Sequence, residues 1–323
     1  MDRQGSVATL RRAVAALARA HLPDEGRWCV ALSGGADSLA LTAVAAGLRP
    51  TTALIVDHGL QAGSPDVAAA AREHALSMGC VEAQVLTADV GSAGGPESAA
   101  RMARYAALDA ARNGAPVLLA HTLDDQAETV LLGLGRGSGA RSMAGMRPWD
   151  PPWFRPLLGE RRALTHTACA ELGVTPWQDP HNVDPRFTRS RLRAEVLPLL
   201  EDVLGGGVAE ALARTAAALR EDNDTLDEQA AHASAAVSVE EPATGPDTRR
   251  LADLPAAVRR RVIRAWLLTS GATDLTDVQI RGVDRLVTDW RGQGGVAVGS
   301  LLRNERLFAG RRDGVLITYR EPV

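Results

Sequence analysis

The residues in this 323-residue chain best suited to chemistry lie near its start. An apolar run at 28–32 ends in Ser33-Gly34-Gly35-Ala36-Asp37-Ser38 and passes directly into a helical pattern. Two glycines let the backbone turn sharply and approach a ligand closely. Amides at the start of the following helix, with the hydroxyls of Ser33 and Ser38, suit phosphate oxygens, while Asp37 suits magnesium or a helix cap. The loop is not of Walker A type, because GxxxxGK[ST] needs a lysine and this chain has none. Transfer of a γ-phosphate is therefore disfavoured, and phosphate contacts fall to arginine or backbone.

Three further segments carry polar groups at strand ends or helix starts: VDHGLQ at 56–61, Glu97 to Tyr105 with Arg101 and Arg104, and AHTLDDQAET at 120–129. In open α/β sheets ligands bind outside the carboxyl ends of the strands, so His58 and His121 are expected to converge near the Ser33 loop. LDDQAET places Asp124 and Asp125 in a first helical turn, where the dipole favours carboxylates. Asp125 and Glu128 are three apart on one helix face, an anionic pair suited to an ammonium or a metal.

SGGADS resembles the SGGxDS loop of the ATP-pyrophosphatase (PP-loop) family, whose members cleave ATP to AMP and pyrophosphate while activating a carbonyl as an adenylate. The other segments resemble the tRNA(Ile)-lysidine synthetases, together with GRGSGARSMAGM at 135–146 and RPLL at 155–158. WQDPHNVDPRFTRSRLRAEVLPLL at 177–200 looks like that family's W-x-D-x-SN-x-D-x2-F-x-RN-x2-R-x3-LP signature, departing at His181, where serine is usual, and Ser190, where asparagine is usual. The likeness is close over residues 30–200 and elsewhere holds only in arrangement.

That resemblance implies an adenine nucleotide alpha hydrolase-like fold, ATP and magnesium, and lysidine formation on the wobble cytidine of tRNA(Ile) with free L-lysine. It assigns ATP to Ser33, Gly34, Gly35, Ala36, Asp37, Ser38 and His58, and magnesium to Asp37 and Asp124. His121 would move protons beside Asp37, Asp124, Asp125 and Glu128. Asp125 and Glu128 would hold lysine, with Arg101, Arg104 and Arg136 also on the substrates; Arg260 and Arg261 are added to these from the arginine run on a predicted helix beyond residue 207. Relatives that thiolate tRNA use cysteines to carry sulfur, whereas Cys29 falls inside a predicted strand; thiolation is the alternative enzyme reading. A nucleotide-sensing or RNA-binding module is the non-enzymatic one.

These residues need a scaffold. Apolar runs at 28–32, 53–56, 81–86 and 117–120 alternate with helical patterns at 38–46, 65–78 and 97–113, the second capped by Ser64 with Pro65 following. The alternation predicts a doubly wound, mainly parallel, Rossmann-like α/β sheet. Residues 133–160, rich in Gly, Pro, Arg and Trp, read as a long functional loop. A helix at 189–204 is interrupted near Pro198, and the glycines at 205–207 mark a boundary between a catalytic domain, 1–205, and a helix-rich α+β tRNA-binding domain, 206–323. In the latter, 208–235, 254–268 and 276–290 read as helices, 237–248 as a linker, and the runs near Val296, Leu307 and Val315 as a small antiparallel sheet.

Composition narrows the class. Three widely spaced cysteines without ligand spacing suit a reducing compartment with no zinc or iron–sulfur site. No apolar run reaches membrane-spanning length and the first residues lack a secretory core, so a cytoplasmic protein without a membrane partner is expected. A net charge of -3 disfavours a DNA-coating protein, while Arg259, Arg260, Arg261 and Arg264 form a local cluster for RNA. An oligomer is compatible with the sequence.

Overall fold

The four apolar runs become parallel strands in the computed structural model, which describes residues 5–23, 26–59, 63–88, 96–137, 139–182, 184–237, 245–301 and 304–322. Leu60 and Gln61, Ser138, Val183, the linker positions 238–244, and the side chains of Glu97 and Asn182 lie outside the described residues. The chain divides into two compact units, 1–131 with 145–214, and 132–144 with 215–323. The sequence places its break at 205–207 and gives 133–160 to the first domain; the structure divides the chain after Arg214 and puts 132–144 with the second unit.

In the first unit the order is α1 (Ser6–His21), β1 (Trp28–Ala31), α2 (Ala36–Ala46), β2 (Thr51–Asp57), α3 (Ser64–Ser77), β3 (Glu82–Thr87), α4 (Pro96–Ala111), β4 (Val117–Leu118) and α5 (Leu123–Gly135). After α6 (Ala140–Met143) in the second unit come β5 (Trp149–Asp150), β6 (Trp153–Phe154) and α7 (Arg162–Glu171). The sheet order is β3-β2-β1-β4-β6-β5, with every pair parallel except β5 with β6. Strand order therefore reverses between β1 and β4, and the crevice beyond their carboxyl ends is where doubly wound sheets bind ligands.

Helices cover the sheet, so its central strands are apolar on both sides. Val30, Ala53 and Leu118 are buried with Leu39, Leu41 and Leu157 in one aliphatic cluster. Leu10, Val14 and Ala18, four apart along α1, join it and bring α1 against α2 and α7. Trp28 satisfies its indole by donating to Thr51 Oγ1 at 2.6 Å.

Two local expectations are corrected. The cap of α3 is Gly63, at φ 86°, and the Ser64 hydroxyl is buried without a partner. The stretch 133–160 is no single loop: α5 runs on to Gly135, and β5 and β6 extend the sheet. Gly145 allows that turn, since its φ is +63° and an added Cβ would sit 2.6 Å from Gln126 Oε1. Gln126 there accepts from the Met146 amide at 2.7 Å and donates to its carbonyl at 3.0 Å.

The helix expected at 189–204 is three pieces: α8 (Thr188–Arg191), a π-helical turn (Leu192–Val196) and α9 (Leu197–Val203). Pro198 lacks the N–H that would continue one ladder and sits in the first turn of α9. Next is α10 (Val208–Val237).

The second unit adds α11 (Thr248–Ala252), α12 (Ala256–Thr269) and α13 (Asp277–Thr288), then an antiparallel meander of β7 (Val296–Val298), β8 (Glu305–Arg312) and β9 (Val315–Pro322). Thr276 and Gln279 form a reciprocal capping box at the start of α13. Ile263 and Leu267 of α12 pack with Val283 and Leu286 of α13 and Leu316 of β9.

Candidate active site

The Ser33 loop leaves β1 at the point of strand reversal. Gly34 has φ +84°, a left-handed conformation that glycine adopts without strain. Its carbonyl accepts from the Trp177 amide at 3.0 Å. The Ser38 hydroxyl is buried and turned inward, accepting from the Ser33 amide at 3.2 Å and donating to the Gly35 carbonyl at 2.9 Å. Ser38 therefore closes the loop on itself, whereas Ser33 is exposed. Gly35 caps α2 with no side-chain hydrogen bond, so the first amides of that helix remain open to an anion.

Asp37 follows in the first turn of α2. Thr165, fully buried on α7, donates to its Oδ1, and Arg162 Nε lies 3.4 Å from its Oδ2. Burial pushes its carboxyl above the usual carboxylate range, against the pull of Thr165 and Arg162. A partly exposed carboxylate next to an open helix N-terminus fits magnesium, which takes one or two carboxylates and completes its shell with phosphates and water. Among the described residues no group of three or more His, Cys, Asp or Glu side chains is arranged to hold a metal without such help.

Arg162 joins this loop to α5. Its Nη2 is 2.5 Å from Asp125 Oδ1 and its Nη1 3.4 Å from Glu128 Oε1. Its amide, the first of α7, donates to Asp124 Oδ2 at 2.7 Å, so a carboxylate from another helix caps α7. The other oxygen of Asp124 faces Arg161 at 3.3 Å, and a metal role for Asp124 requires Arg161 to give way. Burial raises the Asp125 carboxyl, but the Arg162 guanidinium and the hydrogen bonds from Thr122 outweigh it and the net shift is downward.

Glu128 is fully buried and meets three arginines: Arg193 Nε at 2.9 Å, Arg162 at 3.4 Å and Arg189 at 3.7 Å. The pair read as a receptor for an ammonium is thus already neutralised by guanidinium groups. A cleft of about 130 Å³ opens beside it, lined by Asp124, Glu128, Arg161, Arg162, Arg193 and Glu201 with apolar neighbours.

The two histidines come under one cation. His58 and His121 both have a buried, unpartnered Nδ1, and Arg104 acts electrostatically on each. Burial takes His121 down to about 3, so it is neutral at physiological pH, and burial also lowers His58. Arg101 is exposed and donates to the Tyr105 hydroxyl at 3.3 Å. Arg136 is exposed in the segment 132–144 that belongs to the second unit.

The arginine row on α12 is not a free basic face. Arg259 is buried, and with Arg260 it converges on Asp284, at 2.6 and 2.9 Å. Arg261 is tied to Asp227 at 2.8 Å and Asn223 at 2.6 Å. Arg264 has its pKa lowered by burial and by Arg141.

All three cysteines are buried and free, and burial pushes Cys29 and Cys80 up to about 11 and raises Cys169. Such thiols stay protonated and are poor sulfur carriers at neutral pH. Sequence reasoning missed Arg161, Arg162 and Thr165, and read Arg193 as part of an RNA-binding cluster with Arg186, Arg189 and Arg191, whereas it pairs with Glu128. The available signal was electrostatic: several carboxylates gathered at one crevice need cations, and without lysine only arginine supplies lasting ones.

Residues 7–200 match the PP-loop domain family and residues 247–311 the TilS substrate binding domain family. The chain is 71% identical over 325 residues to the tRNA(Ile)-lysidine synthase of Mycobacterium bovis, with 100% of both chains covered. It belongs to the tRNA(Ile)-lysidine synthase family. The corresponding proteins of Mycobacterium leprae, 66% identical with 100% of both chains covered, and Rhodococcus erythropolis, 60% identical with 95% of this chain and 94% of that protein covered, agree. Among solved structures the U34-tRNA thiolase NcsA of Methanococcus maripaludis has a TM-score of 0.55 at 18% identity, covering 67% of this chain and 80% of that one. That likeness is one of fold: a mostly parallel sheet between helices, the nucleotide-hydrolase arrangement expected from the sequence.

Proposed function

We propose that the protein forms lysidine at the wobble cytidine of a tRNA(Ile) with a CAU anticodon, using ATP and free L-lysine. The observation that carries this reading is the meeting of the Ser33–Ser38 loop with the Asp125/Glu128 pair at the sheet's switch point, through Arg162. A phosphate-binding turn and an anionic pair suited to an amino-acid ammonium stand side by side there.

In the first step the exocyclic oxygen of the cytidine's ring carbonyl attacks the α-phosphate of ATP and pyrophosphate departs. Ser33 and the open amides of α2 hold the phosphates, stabilising charge that grows on them. Bound magnesium would supply further charge neutralisation at the phosphates, with Asp37 as its protein ligand. In the second step the ε-amine of lysine attacks the activated ring carbon, and AMP leaves with the former carbonyl oxygen. Asp125 and Glu128 hold lysine by exchanging part of their arginine contacts, and the amine's proton passes by way of neutral His121. Arg101 and Arg104 meet the RNA beside the histidines, and the second unit, with Arg260 and Arg261, supports tRNA binding.

Pyrophosphate release tests the first step. It is expected to require unmodified tRNA(Ile) as well as ATP; release at the same rate without RNA would contradict base adenylation.

A further inference from the structure

Arg162 contacts the nucleotide loop through Asp37 and the anionic pair through Asp125 and Glu128. On the functional reading above, each of these carboxylates awaits another cation: magnesium at Asp37 and an ammonium at the pair. One guanidinium stands where both must act.

Each carboxylate also has a second partner that remains if Arg162 withdraws. Asp37 keeps Thr165, Asp125 keeps two hydrogen bonds from Thr122 at 2.8 and 2.9 Å, and Glu128 keeps Arg193 and Arg189. Two of the three guanidinium contacts are long, at 3.4 Å. The Arg162 backbone, in contrast, is anchored, its amide donating to Asp124 Oδ2 at 2.7 Å as the first of α7. The contacts of the side chain are thus replaceable while its backbone is held.

We infer that Arg162 is a surrogate cation that fills the anionic pair until Mg·ATP arrives, then turns to the nucleotide phosphates and opens the pair to lysine. Magnesium at Asp37 repels the guanidinium while the phosphates attract it, so both push in one direction. Arg162 is therefore a positioning residue that couples the two half-sites. Linkage requires the coupling to be mutual: lysine must tighten nucleotide binding by the same factor.

The test is lysine affinity by calorimetry on the full chain, with and without magnesium and a non-hydrolysable α,β-methylene ATP. The nucleotide should tighten lysine binding to the wild type by about 5- to 150-fold, the usual range for coupled sites. Arg162→Gln should bind lysine readily without nucleotide and lose most of that gain; Arg162→Lys, which keeps the charge, should retain part of it. An undiminished gain in Arg162→Gln overturns the inference. So does a wild type whose lysine affinity ignores the nucleotide, a result that holds even if the variant fails to fold. Lysine binding to no form of the wild type would overturn the functional reading and this inference with it, whereas normal binding without coupling overturns the inference alone.

Discussion

The Trp177 amide donates to the Gly34 carbonyl across 3.0 Å, fastening the signature peptide to the turn between β1 and α2. Gly34 at φ +84° directs that carbonyl outward, and Ser38 ties the rest of the turn from within. The two serines of the loop therefore have separable roles. Ser38→Ala removes a buried hydroxyl that makes three hydrogen bonds and should lower stability by about 1–3 kcal/mol along with ATP use. Ser33→Ala should abolish most pyrophosphate release with melting temperature and tRNA binding nearly unchanged. Thermal denaturation with pyrophosphate assays on both variants checks this; equal falls in melting temperature would contradict the division.

A second expectation concerns the anionic pair. Asp125→Asn should raise the KM for lysine much more than it slows adenylation of the base. Glu128→Gln should do the same, while Glu128→Ala, by stripping a buried ion-pair network of its anion, should cost about 3–5 kcal/mol of stability. Separate assays of pyrophosphate release and lysine incorporation decide it. If adenylation fails while lysine still binds normally, the assignment is reversed.

The contrast between what the sequence disclosed and what it withheld follows from range. Trp28 to Ala31 and Thr51 to Asp57 are apolar runs bounded by turn residues, and a strand buried on both faces needs no more than that. The two-residue strands Trp149–Asp150 and Trp153–Phe154 carry no period to detect; pairing with β4 and with each other creates them. Asp37, Asp125 and Glu128 were legible because their motifs are local. Arg162 was not, since its meaning depends on three carboxylates contributed by two distant helices. Arg259 hid for a similar reason: within a run of three arginines on α12, only its buried partner Asp284 on α13 distinguishes it from a solvated residue.

The pH dependence of stability should carry a signature of His121. Its folded pKa, about 3, lies below the ordinary histidine value, so below roughly pH 6.5 the unfolded chain binds a proton that the folded chain refuses. Its contribution is complete above pH 6.5 and is lost as pH falls from there towards 3, by at most about 1.4 kcal/mol per pH unit. Denaturant titrations between about pH 7 and pH 4, which cover most of that window, should show a shallower acid decline for His121→Gln than for wild type. Parallel declines would place His121 in contact with solvent.

In the second unit Asp284 holds both Arg259 and Arg260. Asp284→Ala leaves a buried guanidinium uncompensated and should destabilise the protein by about 3–5 kcal/mol. The milder pair Arg260→Ala and Arg261→Ala should weaken tRNA binding and flatten its salt dependence, by a slope of roughly 0.7–0.9 for each phosphate that is no longer neutralised, without altering ATP affinity. Binding isotherms at several salt concentrations measure this. An unchanged slope would mean that the ion pairs with Asp284 and Asp227 hold these arginines away from RNA.

The central claim rests on the product. Incubation of the full chain with ATP, magnesium, radiolabelled lysine and unmodified tRNA(Ile) bearing CAU should place label in the tRNA and release AMP and pyrophosphate, with neither label nor stimulated release on other tRNAs. Pyrophosphate release with no lysine incorporated into tRNA(Ile), or equal labelling of every tRNA, would contradict the account.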